Sequence, residues 1–217
     1  MRKLEKIGLV SIVVAMMVGI NIFPSVSGGP ALDAGTMYPS NMWNTYVDWK
    51  EGGGGVAWTT HAVMNDNGYF ACDYTSSAWL GNNAKVFANW GKAGNFGVDT
   101  SGYYTFNANW VVTYNMMIMA YSGNPYCNVI SWIRIIDETA GGAVESSSTI
   151  VSISGFNGAS ATDRVISHTA GNIHLIAGHS YVVVPILKME SQITSGWLSG
   201  GTLDFSMTGY FNSVSWY

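Results

Sequence analysis

Tyr103-Tyr104-Thr105-Phe106-Asn107-Ala108-Asn109-Trp110-Val111-Val112-Thr113-Tyr114-Asn115-Met116-Met117-Ile118-Met119 is the stretch on which the fold turns. Tyr104, Phe106, Ala108, Trp110, Val112, Tyr114, Met116 and Ile118 fall on one face, with Thr105, Asn107 and Asn109 opposite. Apolar residues at every second position are the signature of a strand with one buried side, because successive side chains of extended backbone point to opposite faces. The even-numbered face is therefore expected in a core and the odd-numbered face outside it. A bend near Asn115 would let the alternation slip beyond that point.

The flanking sequence repeats the pattern. Strands are read at Val56–Met64, Tyr69–Tyr74, Ala84–Trp90, Cys127–Ile136, Thr149–Ser154, Ile173–Leu175, Tyr181–Leu187 and Leu203–Tyr217, with turn chemistry between them. Asn65-Asp66-Asn67-Gly68 and Ser122-Gly123-Asn124-Pro125 are the clearest turns. Val182-Val183-Val184 is apolar on both faces and reads as a central strand. No segment after residue 27 has helical periodicity, and no βαβ crossover can be placed. The fold class is all-β, an antiparallel β-sandwich or a closed barrel.

The first 27 residues read differently. Arg2, Lys3 and Lys6 form a basic start, Ile7 to Phe23 is an uncharged run of 17 residues, and Pro24 ends it before Ser25-Val26-Ser27. This is the layout of a secretory signal peptide with an apolar helix, so a secreted or cell-surface protein is expected. Cleavage near Ser27 is the first reading, and retention as an N-terminal membrane anchor is the second. Residues 28–55 are then an N-terminal arm ending in the Gly52–Gly55 hinge, and residues 56–217 the β-sandwich domain. Trp43, Thr45, Val47 and Trp49 share one face of a strand in that arm. Such a strand either folds back onto its own sheet or adds to the sheet edge of a second subunit.

Composition narrows the partners. Charged residues make up 10% of the chain, against roughly 25% in an average soluble domain. Without the leader, six basic residues (Lys50, Lys85, Lys92, Arg134, Arg164, Lys188) stand against twelve acidic ones, a net charge of −6. Six scattered cations on an acidic chain exclude a nucleic-acid partner, which needs clustered Lys and Arg. A surface made of Gly, Ser, Thr, Asn and aromatics suits polysaccharide, or copies of the same chain.

Cys72 and Cys127 are the two cysteines, and in an exported chain the simplest reading is one disulfide. No Gly-x-Ser-x-Gly elbow occurs, and His61, His168, His174 and His179 lack metal-ligand spacing, so no catalytic residues are assigned and no enzyme is expected. No cofactor is called for. Asp66 and Asp73, near Asn65 and Asn67, offer oxygen ligands of the kind calcium takes, although a plain turn explains the same residues. Trp79 and Trp90 adjoin loops, where an indole can stack on a sugar ring, with core packing as the alternative.

Taken in order, Gly102-Tyr103-Tyr104-Thr105-Phe106, then Leu175-Ile176-Ala177-Gly178-His179-Ser180-Tyr181-Val182-Val183, then Phe205-Ser206-Met207-Thr208-Gly209-Tyr210-Phe211 resembles the complement globular-head and tumour-necrosis-factor group over residues 96–211. The resemblance implies a jelly-roll sandwich and an extracellular, self-associating, non-enzymatic module. It departs from that pattern at Met207, where an aromatic is usual, and in having no collagen-like stalk. Self-assembly or adhesion is accordingly the first functional expectation, a carbohydrate-binding module the alternative, and a secreted hydrolase the third.

Overall fold

The computed structural model describes residues 34–53, 56–78, 83–120, 124–194 and 200–217. The leader, Trp79 and the last two glycines of the hinge therefore lie outside the described residues. Eleven strands and one 3-10 turn, Pro39–Asn41, are described. In chain order the strands are β1 Gly35–Met37, β2 Asn44–Gly53, β3 Val56–Met64, β4 Tyr69–Ala78, β5 Asn83–Phe96 and β6 Gly102–Ala120. They continue with β7 Tyr126–Asp137, β8 Ala143–Ser154, β9 Asn157–Leu175, β10 Tyr181–Thr194 and β11 Gly201–Trp216.

All pairings are antiparallel, in two sheets. The first has the order β3-β4-β11-β6-β9, with β1 beside β11; the second has the order β2-β5-β10-β7-β8. From β4 onward the chain crosses between the sheets at nearly every connection, so β4-β11-β6-β9 faces β5-β10-β7-β8 in the manner of a jelly roll.

The arm is part of this sandwich. β1 pairs with β11 through Gly35↔Trp216, and β2 lines the edge of β5 from Asn44↔Ala93 to Gly53↔Ala84. Of the two fates open to it, the structure shows return to its own sheets. Val47 packs against the core, and the Trp43 indole donates to Asn95 Oδ1 at 2.7 Å on its own sheet. The Trp49 side chain lies outside the described ones.

The even face of β6 is buried from Tyr104 through Ile118 and on to Ala120, without a slip at Asn115. Its partners change register instead. Between β6 and β9 the register shifts at Tyr104/Phe106 and again at Val112/Tyr114, and the residues in those gaps include Asn172 and Asp163, the non-glycine residues with positive φ. Each shift is a bulge that reverses which β9 residues point inward. Ile166, His168 and Ala170 face the core between the bulges, and Ile173 and Leu175 face it after the second. Thr113 holds the Asp163 bulge, donating to its carboxylate at 3.4 Å and accepting its backbone N–H at 3.0 Å.

The layers are locked by aromatic rings. Phe70 of β4 lies 5.4 Å from Trp90 of β5 and 5.9 Å from Trp110 of β6, whose ring is 4.8 Å from Phe211 of β11. A second group gathers Phe96, Phe106, Tyr181 and Trp216. Trp90 is fully buried, which corrects its assignment as a sugar-stacking residue: its ring faces are spent on core packing.

Gly209 shows how tight this packing is. A methyl group there would meet the Val111 carbonyl oxygen and the Phe70 ring. Overpacking a well-filled core costs about 1–3 kcal/mol, and collision with fixed backbone leaves little room to relax. Gly209→Ala is expected to lose about 3 kcal/mol in urea unfolding; an unchanged midpoint would contradict the packing described.

Candidate functional site

The outer face of the β4-β11-β6-β9 sheet is built by the residues that alternate with the core. Antiparallel partners directly opposite each other share a face, so the register Tyr69↔Tyr210↔Val111↔Val165 runs one rung across four strands. Tyr69 and Tyr210 meet edge to face at 5.3 Å. Tyr210 is 48% exposed and Val165 70%. The next rungs toward the start of β6 are Ser213–Asn109–Ser167 and Ser215–Asn107–Thr169. Thr169 donates to Asn107 Oδ1.

Beyond them Thr105 exchanges both backbone hydrogen bonds with Tyr217, and Tyr103 pairs with His174, the two rings 5.1 Å apart. Tyr103 is 75% and Tyr217 64% exposed. From Tyr103 to the Val111 rung these positions contain no Asp, Glu, Lys or Arg. Arg164, the nearest cation in sequence, is turned away to Tyr114 Oη at 2.9 Å and the Ile150 carbonyl. Carboxylates appear only past that rung, at Asp163, Asp73 and Asp204, of which Asp204 accepts from Thr75 at 2.7 Å.

The residues singled out in the sequence go elsewhere. Cys72 and Cys127 are free and buried, one on each sheet, which corrects the expected disulfide. Burial pushes each thiol up to about 12, so the thiolate that disulfide exchange requires is suppressed. Tyr74 lies in the same region, its hydroxyl hydrogen-bonded to Ser191 Oγ at 2.5 Å.

Asp66 and Asp73 are not brought together for a cation. Asp66 lies in the β3–β4 turn, accepting from Thr45 Oγ1 at 2.9 Å with the Lys92 ammonium at 3.6 Å. The Thr45 hydrogen bond, then the Lys92 charge, lowers its carboxyl pKa. The positive charge beside Asp66 is thus this chain's own buried lysine. Asp73 stands on β4 opposite Thr60 and Ser206. Among the described residues no group of three His, Cys, Asp or Glu could hold a metal.

Besides His174, two histidines make specific contacts. His179 Nδ1 lies 2.9 Å from Asp137 Oδ2. Burial pushes the Asp137 carboxyl up, but hydrogen bonds from the Ala140 N–H, His179 and the Thr139 N–H together bring it below its usual value. The neighbouring Ser180 hydroxyl donates to Glu138 at 3.0 Å, so this pair fastens loops at one end of the sandwich. His168 is buried between the edges of the sheets, with Nε2 3.2 Å from Ser146 Oγ and Nδ1 without a partner.

The face was missed in the sequence because its aromatics alternate with core residues. Tyr210 between Gly209 and Phe211, and Tyr103 before Tyr104, carry an outward signal only once the inward register is fixed.

Comparisons add little. No family model matches, and no curated protein matches. Among solved structures, the carbohydrate-binding module TmCBM61, in complex with β-1,4-galactotriose, is similar at 11% identity over 73% of this chain and 86% of that one, with a TM-score of 0.25. The enzymatically active domain of bacteriophage CBA120 tailspike protein 4 is similar at 13% identity over 80% of this chain and 20% of that one, TM-score 0.22. A xylan-binding domain of Paenibacillus barcinonensis Xyn10C gives 9% identity over 85% and 99%, TM-score 0.20. None of these is a complement head or a tumour-necrosis factor, and at such TM-scores none carries an argument about this chain.

The His168 environment makes stability depend on pH. Burial lowers its pKa below the ordinary 6.5, so the unfolded chain binds the proton more readily than the folded one. The stability it supports is present above about pH 6.5 and is lost as pH falls through that value toward the folded pKa. The lowered carboxylates Asp66, Asp137 and Glu190 act further down, their contribution being lost as pH falls through the ordinary carboxylate range toward their folded values. Between pH 7 and 5 the wild type should lose thermal stability faster than His168→Asn, which cannot titrate; parallel melting curves against pH would contradict this.

Proposed function

We propose that this chain is a non-enzymatic carbohydrate-binding β-sandwich that takes its ligand on the outer face of the β4-β11-β6-β9 sheet. One observation carries the reading: the Tyr69–Tyr210–Val111–Val165 rung, with Tyr210 and Val165 exposed and Tyr69 and Val111 half-buried, lies beside two rungs of Asn, Ser and Thr on a strip without charge. A sugar ring presents apolar C–H groups on its faces and hydroxyls at its edge. Tyrosine offers a ring for the first, and amides and hydroxyls both donate to and accept from the second. Secretion, with the leader removed, would place such a surface where polysaccharides are.

Self-assembly has less to stand on, because β1 and β2 pair with strands of their own chain. The weak likenesses to carbohydrate-binding modules agree with the proposal without bearing on it.

The test is retention of the mature chain on insoluble neutral polysaccharides such as xylan, galactan and cellulose, with Tyr210→Ala beside the wild type. Losing one stacking ring of about 1.4 kcal/mol weakens binding about tenfold. Phe156→Ala, an exposed aromatic in the β8–β9 turn, should bind as the wild type does. Equal binding by the wild type and Tyr210→Ala would overturn the assignment of the face.

A further inference from the structure

The aromatics on this face form two groups. Val111, in the rung with Tyr69 and Tyr210, and Thr105, paired with Tyr217, are six residues apart on one continuous run of β6, the bulges in this interval lying on β11 and β9. At about 3.3 Å per residue the two groups stand about 20 Å apart. The interval is filled by Asn109 and Asn107 with their serine and threonine neighbours, and has no charged side chain.

Resting on the function proposed above, we infer that the ligand is an extended, neutral glycan chain lying along β6, long enough to engage both aromatic groups at once. A mono- or disaccharide is too short to bridge them. An uncharged strip offers no cation to a uronate or sulfate group, while Asp163, Asp73 and Asp204 beyond the Val111 rung would repel an acidic chain running past it. Charge complementarity therefore selects a neutral polymer. Engaging both groups through one chain multiplies their separate affinities, because the second contact becomes intramolecular.

The experiment is calorimetric titration of the full mature chain with a neutral oligosaccharide series of increasing length, taken from whichever polysaccharide retains it. An acidic polyuronate series is run in parallel. Affinity is expected to rise at least tenfold between the disaccharide and oligomers long enough to span both groups. Tyr103→Ala combined with Tyr217→Ala should abolish that rise, bringing the long oligomers to within about twofold of the disaccharide measured on the same variant. Both residues are more than half exposed, so the double variant should fold, and circular dichroism checks that it does.

A flat length dependence, or an unchanged rise in the double variant, overturns the extended-chain inference and leaves the carbohydrate-binding function standing. Equal or tighter binding of polyuronates overturns its neutral part. Failure of the wild type to bind any glycan overturns the proposed function itself.

Discussion

The structure depends on the period-two alternation of β6. This one strand supplies Trp110 to the centre of the core and, by the same geometry, presents Asn107, Asn109 and Val111 on the opposite side. Two partners, β11 and β9, take their register from it. A shift of one residue would bury the asparagines and expose Trp110, Phe106 and Ile118, so the register is heavily specified. Core and candidate binding face are therefore two sides of a single constraint. The ring contacts among Phe70, Trp90, Trp110 and Phe211 tie that strand to both layers.

Low charge follows from the same construction. With no Lys, Arg, Asp or Glu on the outer face of β6, its neighbours meet through a hydroxyl–amide pair, Thr169–Asn107, until the Asp163 bulge, where Thr113 donates to a carboxylate. The ionic contacts are placed at particular tasks instead. Lys92 closes the β3–β4 turn through Asp66, Lys188 pairs with Glu190 at 2.7 Å on the other sheet, and His179–Asp137 ties the loops at one end. A strip between Tyr103 and Val111 is left free of fixed charge.

Strands with clean alternation were legible in the sequence: β6 and β11 lie where their patterns put them, and β10 begins at Tyr181 as expected but continues past Leu187 to Thr194. β9 was read only at Ile173–Leu175, although it extends from Asn157 to Leu175. Its two bulges reverse the inward side at Asp163 and Asn172, so no single period runs through it, and its Ser, Thr, Ala and Gly residues add little hydrophobic contrast. The candidate site was hidden for a related reason. Trp90 ends an apolar stretch before Gly91 and so resembles a loop aromatic, but it packs in the core. Tyr69 and Tyr210 gain meaning only from a cross-strand pairing between residues far apart in the chain, which local sequence does not encode. For the cysteines an exported chain suggests a bridge, whereas the structure shows two buried free thiols.

The central claim is that the alternation of β6 leaves a ligand-binding strip on the outer face of its sheet. The most direct measurement is backbone amide NMR of labelled protein spanning residues 28–217 during titration with a neutral oligosaccharide. The account predicts shifts confined to Tyr103–Val111 and their partners at 165–174, 210–217 and Tyr69. Perturbations centred on the outer face of the β5-β10-β7 sheet, around Lys188 and Trp132, with the β6 strip silent, would contradict it.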